Sequence, residues 1–207
     1  MLLVAAVVGS GIMATSLTGD LALSLLANSV ATGAMLVILI TVFGPISGAH
    51  FNPAVSLVFA LTRRLSWAAF GGYAAAQLAG GVAGTALAHL MFARPLIETS
   101  ATLRAGGAQW FAEGVATFGL VLVILSGLRH ARSAMPWLVG LYIVAAYWFT
   151  ASTSFANPAV AIARSFTSSF SGIRFADLPG FVAAEFAGAL AALLLATWLL
   201  EHAGSET

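Results

Sequence analysis

The chain has 207 residues, 60% of them hydrophobic and only 7% charged, with a formal net charge of +1. Soluble domains carry roughly 25% charged residues, so a soluble globular protein is excluded, and a charge so near zero points to neither nucleic acid nor an acidic partner. The absence of Cys rules out disulfides, thiolate metal sites and a Cys nucleophile, and all eight basic residues are Arg.

Apolar runs long enough for the ~20 residues of a spanning helix recur along the sequence. They predict spans over 2–16, 21–43, 66–92, 109–128, 136–153 and 178–200. The first run is short and begins at Met1 with no basic segment before it, so it reads as a helix whose start lies upstream or is cut off rather than as a signal peptide. Trp67, Trp110, Trp137, Trp148 and Trp198 fall near span ends, where the amphipathic indole suits a membrane interface.

Two further apolar stretches, 52–61 and 157–166, are too short to span and read as re-entrant segments. Irregular backbone at membrane depth persists only where it is buried in protein or lines a wet cavity, so these are expected to be half-helices entering from opposite faces. A repeat supports this. Asn52-Pro53-Ala54-Val55 returns as Asn157-Pro158-Ala159-Val160, 105 residues later (157 minus 52), and "GGYAAAQLAG" at 71–80 matches "PGFVAAEFAG" at 179–188. An odd number of crossings lies between the copies, which makes an inverted repeat with interrupted helices at corresponding places. The expected architecture is all-α and membrane-embedded, a single domain over 1–207: first repeat 1–92, loop 93–108, second repeat 109–201.

Asn is a strong N-cap and Pro is favoured at the first helical position, so each Asn-Pro starts a half-helix cleanly. If the carboxamide oxygen caps backbone donors, the NH2 of Asn52 and of Asn157 faces what lies beyond. Two such helix starts meeting at mid-membrane also aim their positive dipole ends at one lumen, which favours the oxygen of a neutral solute and repels cations.

"SGAHFNPAV" (47–55) and "NPAV" (157–160), set within six spans, resemble the major intrinsic protein family of aquaporins and aquaglyceroporins. The resemblance implies six membrane helices plus two re-entrant half-helices, one pore per subunit, a homotetramer and passive transport of small neutral solutes. No cofactor, metal or chemistry is implied, and the protein reads as no enzyme. Water-selective members continue the second motif into Arg, at an outer constriction of four residues. Here that position is Val160, and counting from the two Asn residues gives Thr32, Ala145 and Ser154 as the other three. Such a set is small and uncharged, and implies a wider mouth. It is similar to the bacterial branch associated with arsenic-resistance genes, which implies glycerol and arsenite-type hydroxides beside water.

An Arg occurs one turn later, at Arg164, with two readings: bonding loop carbonyls at the end of its half-helix, or reaching back to restore the filter of a strict water channel. Glu113 and Glu185 lie within spans, where carboxyls are functional by default. A coupled carrier is the rival reading. The resemblance implies instead that Glu113 accepts hydrogen bonds from buried loop backbone, and Glu185, matching Gln77, is expected to share a hydrogen-bonding role with it. His50 is expected in the inner vestibule, and Gly80/Gly84 with Ala184/Gly188 are expected helix-crossing points. Arg63, Arg64, Arg129 and Arg132 share a side with both termini, against Arg94, Arg104 and Arg174. That margin sets the termini in the cytoplasm, with the protein in the inner membrane and the lipid bilayer its surroundings. A non-conducting scaffold of the same fold is the third reading.

Overall fold

The computed structural model describes residues 1–202, with side chains to Leu199. Every regular element among them is helical: α1 (Leu2–Leu17), α2 (Leu21–Ser47), α3 (Pro53–Leu61), α4 (Trp67–Met91), α5 (Gly107–His130), α6 (Met135–Phe149), α7 (Pro158–Arg164) and α8 (Leu178–His202). Two single 3-10 turns, Arg132–Ala134 and Phe175–Asp177, lead into α6 and α8. α2, α5 and the region of α8 are long and apolar enough to cross a membrane, and α1 is a shorter apolar helix.

Two boundaries differ from expectation for identifiable reasons. The sequence predicts that α2 ends near 43, before Gly44-Pro45, yet the helix runs through Pro45 to Ser47. Proline costs that turn the bond to the carbonyl four residues back, yet the helix continues for two residues beyond it. Gly48 then ends the helix in the left-handed region (φ 71), its N–H bonded to Gly44 O at 2.9 Å. The second difference is α6, which stops at Phe149 and not 153; Thr150 turns extended and its hydroxyl closes on Ala146 O at 2.6 Å. The next residues double back into the bundle through three positive-φ positions, Thr153, Ser154 and Ala156.

Where lipid replaces water, close backbone contact rather than hydrophobicity holds helices together. α5 packs along α8, α2 along α6, and α1 along α2 and α4. Glycine makes the approach. A Cβ on Gly188 would collide with the Gly114 carbonyl, and one on Gly84 with the Met1 carbonyl, so both expected small-residue pairs are crossing points. A third crossing joins Gly33 and Gly140, where a Cβ on either would lie 2.8 Å from the other's carbonyl oxygen. Asn28 adds a polar clamp between α2 and α1, donating to Val7 O at 2.7 Å and Ser10 Oγ at 2.9 Å.

The short helices sit inside this frame. α3 packs Ala54 and Val58 against Val121 and Leu125 of α5 and Ala189, Ala192 and Ala196 of α8. α7 lies on α4, with Gly81 facing Ala159 and Ala163, and Thr85 donating to Ala163 O at 2.9 Å. Each half-helix thus packs against both α4 and α8, the last helices of the two halves.

Candidate functional site

The two Asn-Pro starts meet head to head. Asn52 Oδ1 accepts the Ala54 N–H at 2.9 Å, and Asn157 Oδ1 accepts those of Ala159 and Val160 at 3.1 and 3.3 Å. With its oxygen so occupied, each carboxamide turns its NH2 to the other half: Asn52 donates to Ala156 O at 2.6 Å, and Asn157 to Phe51 O at 2.8 Å. An NH2 has two hydrogens, so one ties the halves together and one remains for the lumen. Pro53, Ala54 and Pro158 are buried beneath this junction and do not line the main cavity; Ala159 faces a smaller cavity between α1 and α4.

The main cavity, of about 590 Å³, runs from Gly44, Pro45, Arg132 and Ser133 past both Asn residues to Ser154 and Arg164. Its wall is mostly aliphatic, with a few polar groups. His50 lines it on the Arg132 side, Nδ1 3.1 Å from Ser56 Oγ and the ring 4.3 Å from that of Phe59. Thr32, Ser154 and Val160 line the opposite part.

Ala145 does not join them; it is exposed on the outer face of α6. Neighbouring positions two apart are about 200° apart around a helix, so the inward residue is Tyr147. Its hydroxyl lies 3.3 Å from Thr32 Oγ1, across the cavity mouth. The inward face of α6 reads Met135, Val139, Ile143, Tyr147, a four-residue spacing visible in the sequence. Counting back from Asn157 missed it because the α6–α7 connection, unlike a helix, has no fixed length.

Arg164 bonds a loop carbonyl and also reaches the cavity wall. It is 2% exposed, its Nε donates to Ser171 O, and its Cζ stands 3.4 Å above the Phe155 ring centroid. It also lines the cavity, and its Nη1 has no partner. A desolvated cation on an aromatic face gains about 2 kcal/mol, which helps hold the guanidinium in an otherwise apolar setting. Ser154 Oγ is likewise buried and unpartnered. Arg104 lies 5.1 Å from the same ring and ties the loops down through Gly172 O (2.8 Å), Ser152 O (3.3 Å) and Phe170 O (3.4 Å). Burial pulls its basicity below the ordinary value. Nearby, Arg94 pairs with Glu98 at 2.9 Å and Arg174 with Asp177 at 2.8 Å.

The backbone entering the second motif is held by carboxylates. Glu113 takes the Phe155 and Ala156 N–H groups at 2.9 and 2.7 Å, and Glu185 takes that of Asn157 at 2.9 Å. Both are buried behind the lumen, and neither lines the main cavity. Glu185 and Gln77 both hydrogen-bond the half-helix of their own repeat, but through different groups: Gln77 donates to Ser56 Oγ at 3.0 Å and leaves the Asn52 backbone alone. Their surroundings differ, because Ser56 in α3 offers a hydroxyl where α7 has Ala161. Among the described residues no cluster of His, Asp and Glu could hold a metal.

Comparison with known proteins agrees with this fold. The family model described as "Major intrinsic protein" matches residues 1–195. Aquaglyceroporin AqpS of Rhizobium meliloti (strain 1021) is 67% identical over 202 residues, covering 98% of this chain and 87% of that protein. Aquaporin NIP1-1 of Oryza sativa subsp. japonica is 38% identical over 113 residues, 54% of this chain and 39% of its own length. The structure of the aquaglyceroporin from Plasmodium falciparum superposes with a TM-score of 0.69, covering 95% of this chain and 90% of that one, at 22% identity.

Proposed function

Because the chain belongs to the major intrinsic protein family, a family of membrane channels and not enzymes, we propose that it passes water, glycerol and arsenite-type neutral hydroxides passively down their gradients. The observation that carries this is one cavity with both Asn carboxamides in its wall and Val160, not Arg, at the position after the second motif. A solute oxygen accepts from the free hydrogens of Asn52 and Asn157, in a wall that is mostly aliphatic and offers few competing partners. Helix starts of α3 and α7 add positive potential there, which opposes cations and protons. At the mouth, Thr32, Tyr147, Ser154, Val160 and Arg164 set size and polarity. The relative AqpS is named an aquaglyceroporin, which supports the wider solute class. We further propose a homotetramer in the inner membrane with cytoplasmic termini.

A strict water channel is the second reading, favoured by the unpaired Nη1 of Arg164 and by the Tyr147 hydroxyl facing Thr32. Stopped-flow light scattering on proteoliposomes decides between them. The parent protein should pass glycerol and arsenite as well as water, and Val160→Arg should lose the larger solutes and keep water. A parent that passes water alone establishes the second reading.

A further inference from the structure

The two halves of the pore centre are held by unlike chemistry. On the first side Gln77, Ser56 and His50 form a neutral chain, with Gln77 Oε1 buried and unpartnered. On the second side two wholly buried carboxyls take three consecutive N–H groups, 155 to 157. Glu185 Oε1 accepts the last of these, while its Oε2, like Gln77 Oε1 on the first side, is buried without a partner. Its target is the backbone of the residue whose carboxamide faces the lumen. That residue is extended (φ −163) and follows Ala156 at φ 48, a conformation most side chains avoid. An N–H left unmet in a dry interior costs about 1–3 kcal/mol, so meeting all three of these donors holds such a turn.

We infer that Glu185 is a positioning residue for solute passage: by taking the Asn157 N–H it fixes the Asn157 carboxamide against Phe51 O, and makes the second motif the rigid wall of the pore centre and the first the compliant one. The inference rests on the channel reading above for its functional part, while its structural part stands alone. Truncating Glu185 to an apolar residue leaves the Asn157 N–H unpaired in a dry interior, which favours any rearrangement that frees the carboxamide.

Two measurements test this. Hydrogen exchange on the purified parent in detergent should give slower exchange at 155–157 than at 50–52, and Glu185→Leu should speed the former about tenfold. In proteoliposomes Glu185→Leu should lower glycerol flux relative to water by severalfold, and Glu185→Gln, which keeps an oxygen for the N–H, should recover flux to within about threefold of the parent. Equal exchange in the two motifs overturns the inference, as does a Glu185→Gln as impaired as Glu185→Leu. If Glu185→Leu yields no folded protein, parent exchange and Glu185→Gln still decide. A parent that conducts nothing refutes the channel reading, and the exchange data then judge the positioning role by themselves.

Discussion

Removing the charge of Arg164 tests whether it acts on the lumen or only on the loop. Arg164 follows Val160 by four residues, about 6 Å along a helix. With an effective dielectric constant near 20, a monovalent cation level with Val160 meets a repulsion of about 332 divided by 20 and by 6, roughly 3 kcal/mol, or about a hundredfold lower occupancy. Arg164→Gln keeps a donor near Ser171 O but removes the charge, and Arg164→Lys restores it. The expected result is a rise in potassium and proton leak for Gln and a return towards parent behaviour for Lys. The size of the rise is at most the hundredfold figure, because the helix starts at the Asn pair still oppose cations. Dye-reported ion flux in proteoliposomes, normalised to water permeability, measures it. If Arg164→Gln folds, conducts water and shows no greater ion leak, the guanidinium is a loop tether and not part of the barrier.

Two other expectations follow from packing and charge. Gly188→Val should abolish the α5–α8 contact, since its Cβ meets the Gly114 carbonyl, and so remove folded protein from detergent elution profiles; Gly71→Ala, with nothing within 4 Å of the added Cβ, should elute like the parent. Glu98 is pulled up by burial, but the Ser168 hydroxyl and Arg94 outweigh this and hold it below the ordinary carboxylate value. A lowered folded value means its contribution is present above the unfolded carboxylate value, about 4, and fades as pH falls through the lower folded one. Limited proteolysis of the 93–106 loop should therefore be slow at pH 6 and faster below pH 4, and Glu98→Gln should remove that difference.

Much of the fold was legible because membrane helices announce themselves by composition. Spans over α2, α4, α5 and α8 could be drawn within a few residues, since a bilayer demands long apolar runs whatever packs against them. The half-helices were equally open to reading, because Asn as N-cap and Pro at the first helical position are local rules. Local rules failed where the chain stops being regular. Ala145 was selected by counting through an irregular connection, and the face of α6 that turns inward belongs to Tyr147. The Gly33–Gly140 crossing went unseen because the two glycines lie far apart along the chain, and only the packing of α2 on α6 brings them together.

By itself, then, the sequence determined that this is a membrane protein with two half-helices in an inverted repeat, since hydropathy and capping act over a few residues at a time. Only the tertiary structure decided which side chains share the lumen. Whether Arg164 points to a loop carbonyl or to the cavity, and whether Glu185 and Gln77 do the same work, depends on partners that lie outside the helix each residue sits on: Ser171 and Phe155 for the first, Asn157 and Ser56 for the second. A buried polar group goes to whatever partner its surroundings supply, and those surroundings exist only once the helices have packed.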